Sequence, residues 1–291
     1  MPHPFRFGVS LMIPAPADEW REKCRRAEHL GYDVILVPDH LGMPAPFPAL
    51  VAAAEVTERP RLGTFVLNAG FWNPTLLARE VATTDALTGG RLELGLGTGY
   101  IQAEHDTAGL PFGSPRERVD HLVRTVEELE RLLGSAGLPG SRVPLLIGGN
   151  GDRMLRLTAE HADIAAFAGV RLVPGSTTGK LDPLTAEELD ERVAAYQSLA
   201  VDRKEPAELN VLIQIVAVTD DREAAVRELH ARVPRLTLEE ILGLPIVLVG
   251  TVEQITAQVR AQRERYGFSY VIVMEPYMEA FGEVIEALRG E

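Results

Sequence analysis

A chain of 291 residues with 46% hydrophobic and 24% charged residues can bury a large core, as one barrel-sized domain or two smaller ones. Its formal net charge of −13 argues against nucleic acid or an anionic membrane surface as partner, since both need a basic footprint. No run is apolar enough to span a bilayer, Met1 to Arg6 lack the apolar stretch of a signal peptide, and Cys24 as sole cysteine leaves no intrachain disulfide or cysteine-cluster zinc site, so the expectation is a cytoplasmic protein.

Phe5 to Leu11 alternates and predicts a first strand. Asp18 is a plausible cap for a helix from Glu19 to Leu30, stopped by Gly31. Asp33 to Val37 is a second, β-branched strand ended by Pro38-Asp39-His40, and Phe47 to Thr57 a second helix. Arg61 to Leu67 is the third strand, with Asn68 to Pro74 as its outgoing loop and a helix that runs on to Leu87. Gly90 to Tyr100 holds the fourth strand. Its Leu92, Leu94 and Leu96 suit a strand buried on both faces, and Gly95, Gly97 and Gly99 expose main-chain N–H groups at its end.

A long connection, Ile101 to Ser114, is expected as a loop; Arg116 to Leu133 is an amphipathic helix. Val143 to Ile147 is strand five, Asp152 to Ala162 a helix, Ile164 to Phe167 strand six, and Ala168 to Asp182 a second long loop. Thr185 to Glu188 opens a helix. Leu209 to Val218 is strand seven, followed by two helices and the short apolar piece Val247 to Val249. A helix from Thr251 to Tyr266, strand eight over Tyr270 to Met274 and a helix from Tyr277 to Leu288 complete the chain. Eight strands, each followed by a helix and with no internal linker, predict an α/β protein. The expected form is a single (β/α)8 TIM barrel over residues 1–291 with insertions after strands four, six and seven, the alternative being a doubly wound two-domain protein.

In a barrel, chemistry sits just after the strands. Those positions hold Asp39 and His40, Asn68, Gly97-Thr98-Gly99-Tyr100 with Glu104 and His105, and Gly148-Gly149-Asn150-Gly151. The last run, between a strand and a helix start, suits an anion such as phosphate. His40 is placed to act as acid or base. Gly95-x-Gly97-x-Gly99 is one position short of the dinucleotide fingerprint, which argues against that fold. Glu104-His105-Asp106 can be read as metal ligands, but strand one lacks the His-x-His pair that barrel metallohydrolases carry, and no metal is expected. His29, His121, His161 and His230 fall on predicted helices as surface or packing residues.

Leu62-Gly63-Thr64, Asn73-Pro74, Gly89 to Gly99, Val37-Pro38-Asp39-His40 and Pro144 to Gly149 together resemble the bacterial luciferase-like monooxygenase superfamily. Val247 to Ile255 and Arg263 to Val271 resemble its F420-dependent oxidoreductase branch of actinobacterial type. The resemblance implies coenzyme F420, with FMN as the alternative, lying across the carboxyl ends of the strands. Asp39, His40, Phe65, Val66, Asn68, Gly97, Thr98 and Gly99 would surround the ring, while Gly148, Gly149, Asn150 and Gly151 would take the phosphate. It also implies a bulge in strand three with a non-proline cis peptide between Phe65 and Val66, and a homodimer formed beside strands two to four. His40 matches an acid–base position of sugar-phosphate dehydrogenases in this group. Those enzymes place a glutamate where this chain has Tyr100, which counts against sugar-phosphate oxidation. His40, Tyr100 and Glu104 are the expected catalytic residues, and Arg116, Arg118, Arg153, Arg171 and Lys180 the cations for an anionic cofactor tail. The expected activity is hydride transfer between F420 and a small organic substrate, reducing an activated C=C, C=N or C=O bond. An FMN monooxygenase fed by a reductase and a catalytically silent ligand-binding barrel are the alternatives.

Overall fold

The computed structural model describes residues 3–135 and 142–291. Its strands and helices follow in the order β1 (Arg6–Ser10), α1 (Ala17–His29), β2 (Val34–Val37), α2 (Pro46–Ala54), β3 (Arg61–Thr64), β4 (Leu67–Asn68), α3 (Pro74–Leu87), β5 (Leu92–Gly97), α4 (Gln102–Ala108), α5 (Pro115–Ser135), β6 (Leu145–Gly148), α6 (Asp152–His161) and β7 (Ile164–Phe167). Then come β8 (Val170–Leu172), β9 (Leu181–Pro183), α7 (Ala186–Leu199), β10 (Glu208–Ile213), β11 (Ile215–Val218), α8 (Arg222–Arg232), α9 (Leu238–Gly243), β12 (Val247–Gly250), α10 (Val252–Tyr266), β13 (Phe268–Met274) and α11 (Met278–Leu288).

The strands pair in the order β3-β2-β1-β13-β10-β7-β6-β5-β4, and a further β3–β5 pairing closes the sheet into a barrel. Every pairing within it is parallel, and β3 and β4 are two halves of one stave, so the barrel has eight staves as the sequence predicts. Alternation sorts the side chains. Phe7, Val9, Ile35, Val37, Val211 and Ile213 pack outward under the helices, whereas Val34, Leu36, Leu146, Ile164, Tyr270 and Ile272 fill the barrel. Strands buried on both faces read as continuous apolar runs, which is why periodicity found them.

The third stave is interrupted where the resemblance places a bulge. β3 pairs Leu62 with Leu92, and β4 pairs Leu67 with Leu96, so this stave carries one more residue than β5 over the same span. The Phe65–Val66 peptide between the halves is cis.

The insertions lie after the expected staves but hold more structure than predicted. The Ile101 to Ser114 connection contains α4, and the Ala168 to Asp182 loop is the antiparallel hairpin β8–β9. Strand seven divides at Gln214: β10 stays in the barrel, while β11 leaves it to pair with β12 in a separate parallel sheet. An apolar run carries no mark of the point where its partner changes.

Ionic pairs fill the amino end of the barrel. Arg6 reaches Glu93 and Glu208, each at 2.6 Å, Arg61 reaches Glu93 at 2.8 Å, and the Arg6 guanidinium lies 4.5 Å from the centre of the buried Tyr270 ring. Burial, offset only in part by Arg6, pushes the Glu208 carboxyl up to about 7. The folded protein therefore holds a proton there that the unfolded chain has already released, and this residue's contribution to stability falls as pH rises from the ordinary carboxylate range through about 7. In urea titrations between pH 5 and pH 8, wild type is expected to lose about 1–3 kcal/mol more unfolding free energy than Glu208→Gln. Parallel pH profiles for the two proteins would contradict this.

Candidate active site

The bulge seats its side chain in space that glycines leave free. A Cβ at Gly97 would lie 2.8 Å from Val66 Cγ2, and one at Gly95 only 2.0 Å from the Thr64 carbonyl oxygen. Thr64 Oγ1 also donates to the Gly95 carbonyl (2.9 Å) and accepts from Gly95 N–H (2.8 Å). Phe65, Val66 and Leu212 lie half-buried on the inner cluster and form an apolar floor at the carboxyl end of the barrel. Gly148 flanks it, with Val66 Cγ1 at 3.7 Å from the position a Cβ would take. Thr98 is half-buried at the rim, and Gly99 (φ +69°) packs so closely on Asn68 that a Cβ would come within 2.2 Å of its Oδ1.

Asn68 is a hub below the rim. Its backbone N–H donates to Asp39 Oδ2 (3.2 Å), which also accepts from Trp72 Nε1 (2.9 Å). Burial raises the Asp39 carboxyl above its usual range, against the lowering effect of these two donors. Asn68 Oδ1 accepts from Gly70 N–H (3.0 Å), and its amide nitrogen meets His105 Nε2 at 3.0 Å. His105 Nδ1 faces the Pro111 carbonyl at 2.9 Å, which can only accept, so Nδ1 carries the proton and Nε2 accepts from Asn68. His105 is fully buried between Phe71 and Phe112, with ring centroids 4.9 and 5.0 Å away. Sequence reasoning places this histidine with Glu104 among the residues after strand four and weighs it as a metal ligand; its position inside an unpredicted helix hid its bond to Asn68. Among the described residues, no group of three or more His, Cys, Asp or Glu side chains is placed to hold a metal.

Successive residues of α4 point about 100° apart. His105 therefore turns inward to Asn68, while Glu104 turns to His40, whose Nδ1 lies 3.0 and 3.1 Å from the two carboxylate oxygens. Facing a carboxylate, Nδ1 carries the proton and Nε2 is the open nitrogen. The Tyr100 ring meets His40 edge-on at 5.7 Å, and burial, with the Glu104 charge second, raises its phenol pKa and keeps it protonated. All three expected catalytic residues thus come together. The β8–β9 hairpin roofs them. Gly179 (φ +76°) lies so close that a Cβ would be 2.8 Å from Tyr100 Cε2, and Ala103 N–H donates to the Thr177 carbonyl (3.1 Å).

The second glycine run leads into α6. Gly149 (φ +146°) would press a Cβ onto Met154 at 3.2 Å, and Gly151 is the N-cap of α6 without a side-chain cap. Asn150 donates to the Val170 carbonyl (2.8 Å), and its buried Oδ1 has no partner among the described residues. Of the expected cations, Arg153 is held by Asp120 (2.5 Å), Arg171 is bonded to Glu188, and Arg118 lies over Phe112 (4.0 Å). Arg116 is exposed 3.9 Å from Asp120, and Lys180 is exposed on the hairpin. Glu275 stands directly after the last strand, where sequence reasoning looks for chemistry, and the structure gives it a structural task. This buried carboxylate accepts from the N–H groups of Met12 and Ile13, each at 2.7 Å, and pairs with Lys23 at 2.8 Å, fixing the loop after β1.

The family profile described as luciferase-like monooxygenase matches residues 2–244. The chain belongs to this family. Among curated relatives of this luciferase-like protein, an F420-dependent glucose-6-phosphate dehydrogenase of Intrasporangium calvum is 27% identical over 296 residues, covering 91% of this chain and 82% of the relative. A 4-hydroxyprotoasukamycin monooxygenase of Streptomyces nodosus subsp. asukaensis is 25% identical, covering 89% of this chain and 79% of the relative. Among solved structures, the coenzyme F420-dependent tetrahydromethanopterin reductase of Methanopyrus kandleri superposes with a TM-score of 0.78 at 17% identity, covering 99% and 100% of the two chains, a likeness of fold. The luciferase-like protein is thus an oxidoreductase with F420-dependent and monooxygenase relatives.

Asn68→Ala is expected to leave His105 Nε2 buried and unpaired and to cost about 1–3 kcal/mol of stability, read by urea unfolding at fixed pH. A loss below about 0.5 kcal/mol, less than one ordinary hydrogen bond, would mean that Asn68 is not the hub.

Proposed function

We propose that the protein is a coenzyme F420-dependent oxidoreductase that reduces an activated C=C, C=N or C=O bond of a small organic substrate. The observation that carries the reading is the Glu104–His40 pair with its open Nε2 at the rim of an apolar floor. The residues fit a deazaflavin. The floor of Val66 between Gly97 and Gly148 is free of side chains that would lift a planar ring. The buried, unpartnered Asn150 Oδ1 is an acceptor awaiting a donor, and the uncapped N-terminus of α6 beside Gly149 suits the phosphate.

Bound reduced deazaflavin supplies hydride. The protein's part is the proton and the surroundings. Glu104 holds Nδ1–H of His40 and stabilises the imidazolium that forms when Nε2 takes a proton, so the same nitrogen delivers it to the reduced bond. Tyr100 keeps its proton and offers a neutral donor beside His40. The hairpin against Tyr100 and Ile101 limits water around the reacting atoms. The 4-hydroxyprotoasukamycin monooxygenase supports a second reading, FMN with oxygen at the same floor.

Titration with F420 and with FMN, followed by fluorescence, separates the two readings. Micromolar F420 binding is expected, and tight FMN binding without F420 binding would move the assignment to the monooxygenase. His40→Ala is expected to lower kcat about 10²–10⁴-fold while the F420 Kd stays within its order of magnitude. Glu104→Gln should lower kcat about 10–100-fold, the equivalent of one charge-assisted hydrogen bond. Steady-state kinetics of either variant at the wild-type rate would remove the pair from the mechanism.

A further inference from the structure

The rim beside His40 is apolar along two neighbouring staves. Residues 11–17 follow β1, and residues 41–54 follow β2 and include α2. Neither stretch holds a polar side chain, in a chain that is 24% charged. β1 and β2 pair directly, so the two connections lie side by side at the carboxyl end of the barrel, where the candidate active site is. Ile13 and Leu41 are 48% and 47% exposed, and Met12 and Met43 in the same connections are half-buried.

Both connections are pinned to the site. Met12 and Ile13 donate their backbone N–H groups to Glu275, and the Ile13 carbonyl accepts from Lys23 (3.4 Å). With both backbone groups of Ile13 engaged, its side chain is what this loop offers to solvent. After β2, Met43 N–H donates to the His40 carbonyl (3.1 Å), closing a turn with Leu41 and Gly42 at its tip. Farther along, the Phe47 ring meets Trp72 edge-on at 5.3 Å, and Trp72 is bonded to Asp39. The turn is therefore held at one end by His40, itself paired with Glu104, and at the other by Phe47. The apolar surface is a preformed wall, which keeps the ordering cost of binding low.

Exposed apolar surface gathered beside a site marks a contact. The proposed reaction puts the reacting bond at His40 Nε2, so any part of the substrate that extends toward β1 and β2 runs onto Leu41 and Ile13. The two methionines let such a surface accept more than one shape. The facing side of the mouth differs. The β8–β9 hairpin arises after β7, which lies opposite β2 in the closed strand order, and it carries the exposed Lys180. The wall governs one end of the substrate only, whatever group meets the hairpin at the other.

We infer that the substrate carries an apolar body, an alkyl chain or hydrocarbon ring, that lies on the Ile13–Leu41 wall while its reacting bond faces His40. The inference rests on the proposed placement of the active site beside His40, and not on which cofactor occupies it.

The test measures how affinity grows with chain length on the full chain. The probes are two series, methyl ketones from butanone to decan-2-one and carboxylates from butanoate to decanoate. Binding is read by calorimetry and saturation-transfer NMR on F420-loaded, FMN-loaded and unloaded protein, with cofactor occupancy followed by absorbance. The slope within each series is the readout, so a change of head group shifts a series without altering it. Wild type is expected to tighten about two- to fourfold per methylene. In the double variant Ile13→Ser/Leu41→Ser the gain should fall below about 1.5-fold per methylene, with occupancy unchanged. Leu87→Ser, which alters a still more exposed leucine at the end of α3, should keep the wild-type slope. A flat series in wild type, a wild-type slope in the double variant, or an equal loss in Leu87→Ser would overturn the inference. So would a wild-type dimer in sedimentation that the double variant dissociates, since the wall would then belong to a second copy. Failure of F420 to bind, or of any ketone to be reduced, would end the proposed function and leave the slopes readable on the other forms.

Discussion

The mouth of the barrel depends on one steric fact: Val66 occupies room that side chains at positions 95 and 97 would need. The third stave carries an extra residue, yet it pairs with β5 both before and after the interruption. Both can hold only if β5 lets the excess chain lie close against it. Gly95 does this through the Thr64 carbonyl and Gly97 through the Val66 methyl group. Two consequences follow. Val66 becomes a platform at the top of the inner cluster, and Asn68 is delivered at the height where Asp39 and His105 can both bond it. Glycines that look like a ligand-binding loop are in the first instance a packing device, and the platform results from that packing.

The insertion after β5 adds the chemical group. A seven-residue helix, α4, directs two neighbouring residues to different tasks. His105 locks the helix to the barrel through Asn68 and Pro111, and Glu104 then reaches His40 from a fixed base. The β8–β9 hairpin rests on this helix through Thr177 and on Tyr100 through Gly179, so roof, His40–Glu104 pair and floor are mechanically connected. A pair positioned by a buried neutral histidine is better oriented than one carried on a free loop, since the rotamers on both sides are held by packing.

Charge is distributed against the simple expectation. The chain carries −13, and the arginines read from sequence as cofactor ligands mostly serve neighbouring carboxylates. An anion bound at the second glycine run, as the proposed function has it, would meet backbone N–H groups and the start of α6, which need no net charge. At the opposite end of the barrel the same accounting produces the Arg6–Glu93–Glu208 cluster, where two buried carboxylates share the Arg6 guanidinium and Glu93 also meets Arg61.

Signals carried by neighbours along the chain were readable without coordinates. Alternating and β-branched runs marked the eight staves, glycines marked where stave ends turn or approach, and His40, Asp39 and the Gly148 to Gly151 run stood at stave ends, where barrels keep their chemistry. The Phe65–Val66 bulge was legible through family resemblance alone. Other features arise from contacts between residues far apart in the chain. His40 and Glu104 are 64 positions apart and meet only because α4 folds back over the rim. The role of His105 requires Asn68, 37 positions away, and the break at Gln214 follows from β11 choosing β12 over the barrel. Local propensity governs the conformation of a few residues at a time, so it can say that a segment is extended or helical. Which partner an extended segment pairs with, and which face of a short helix meets which side chain, is settled by the packing of the whole barrel.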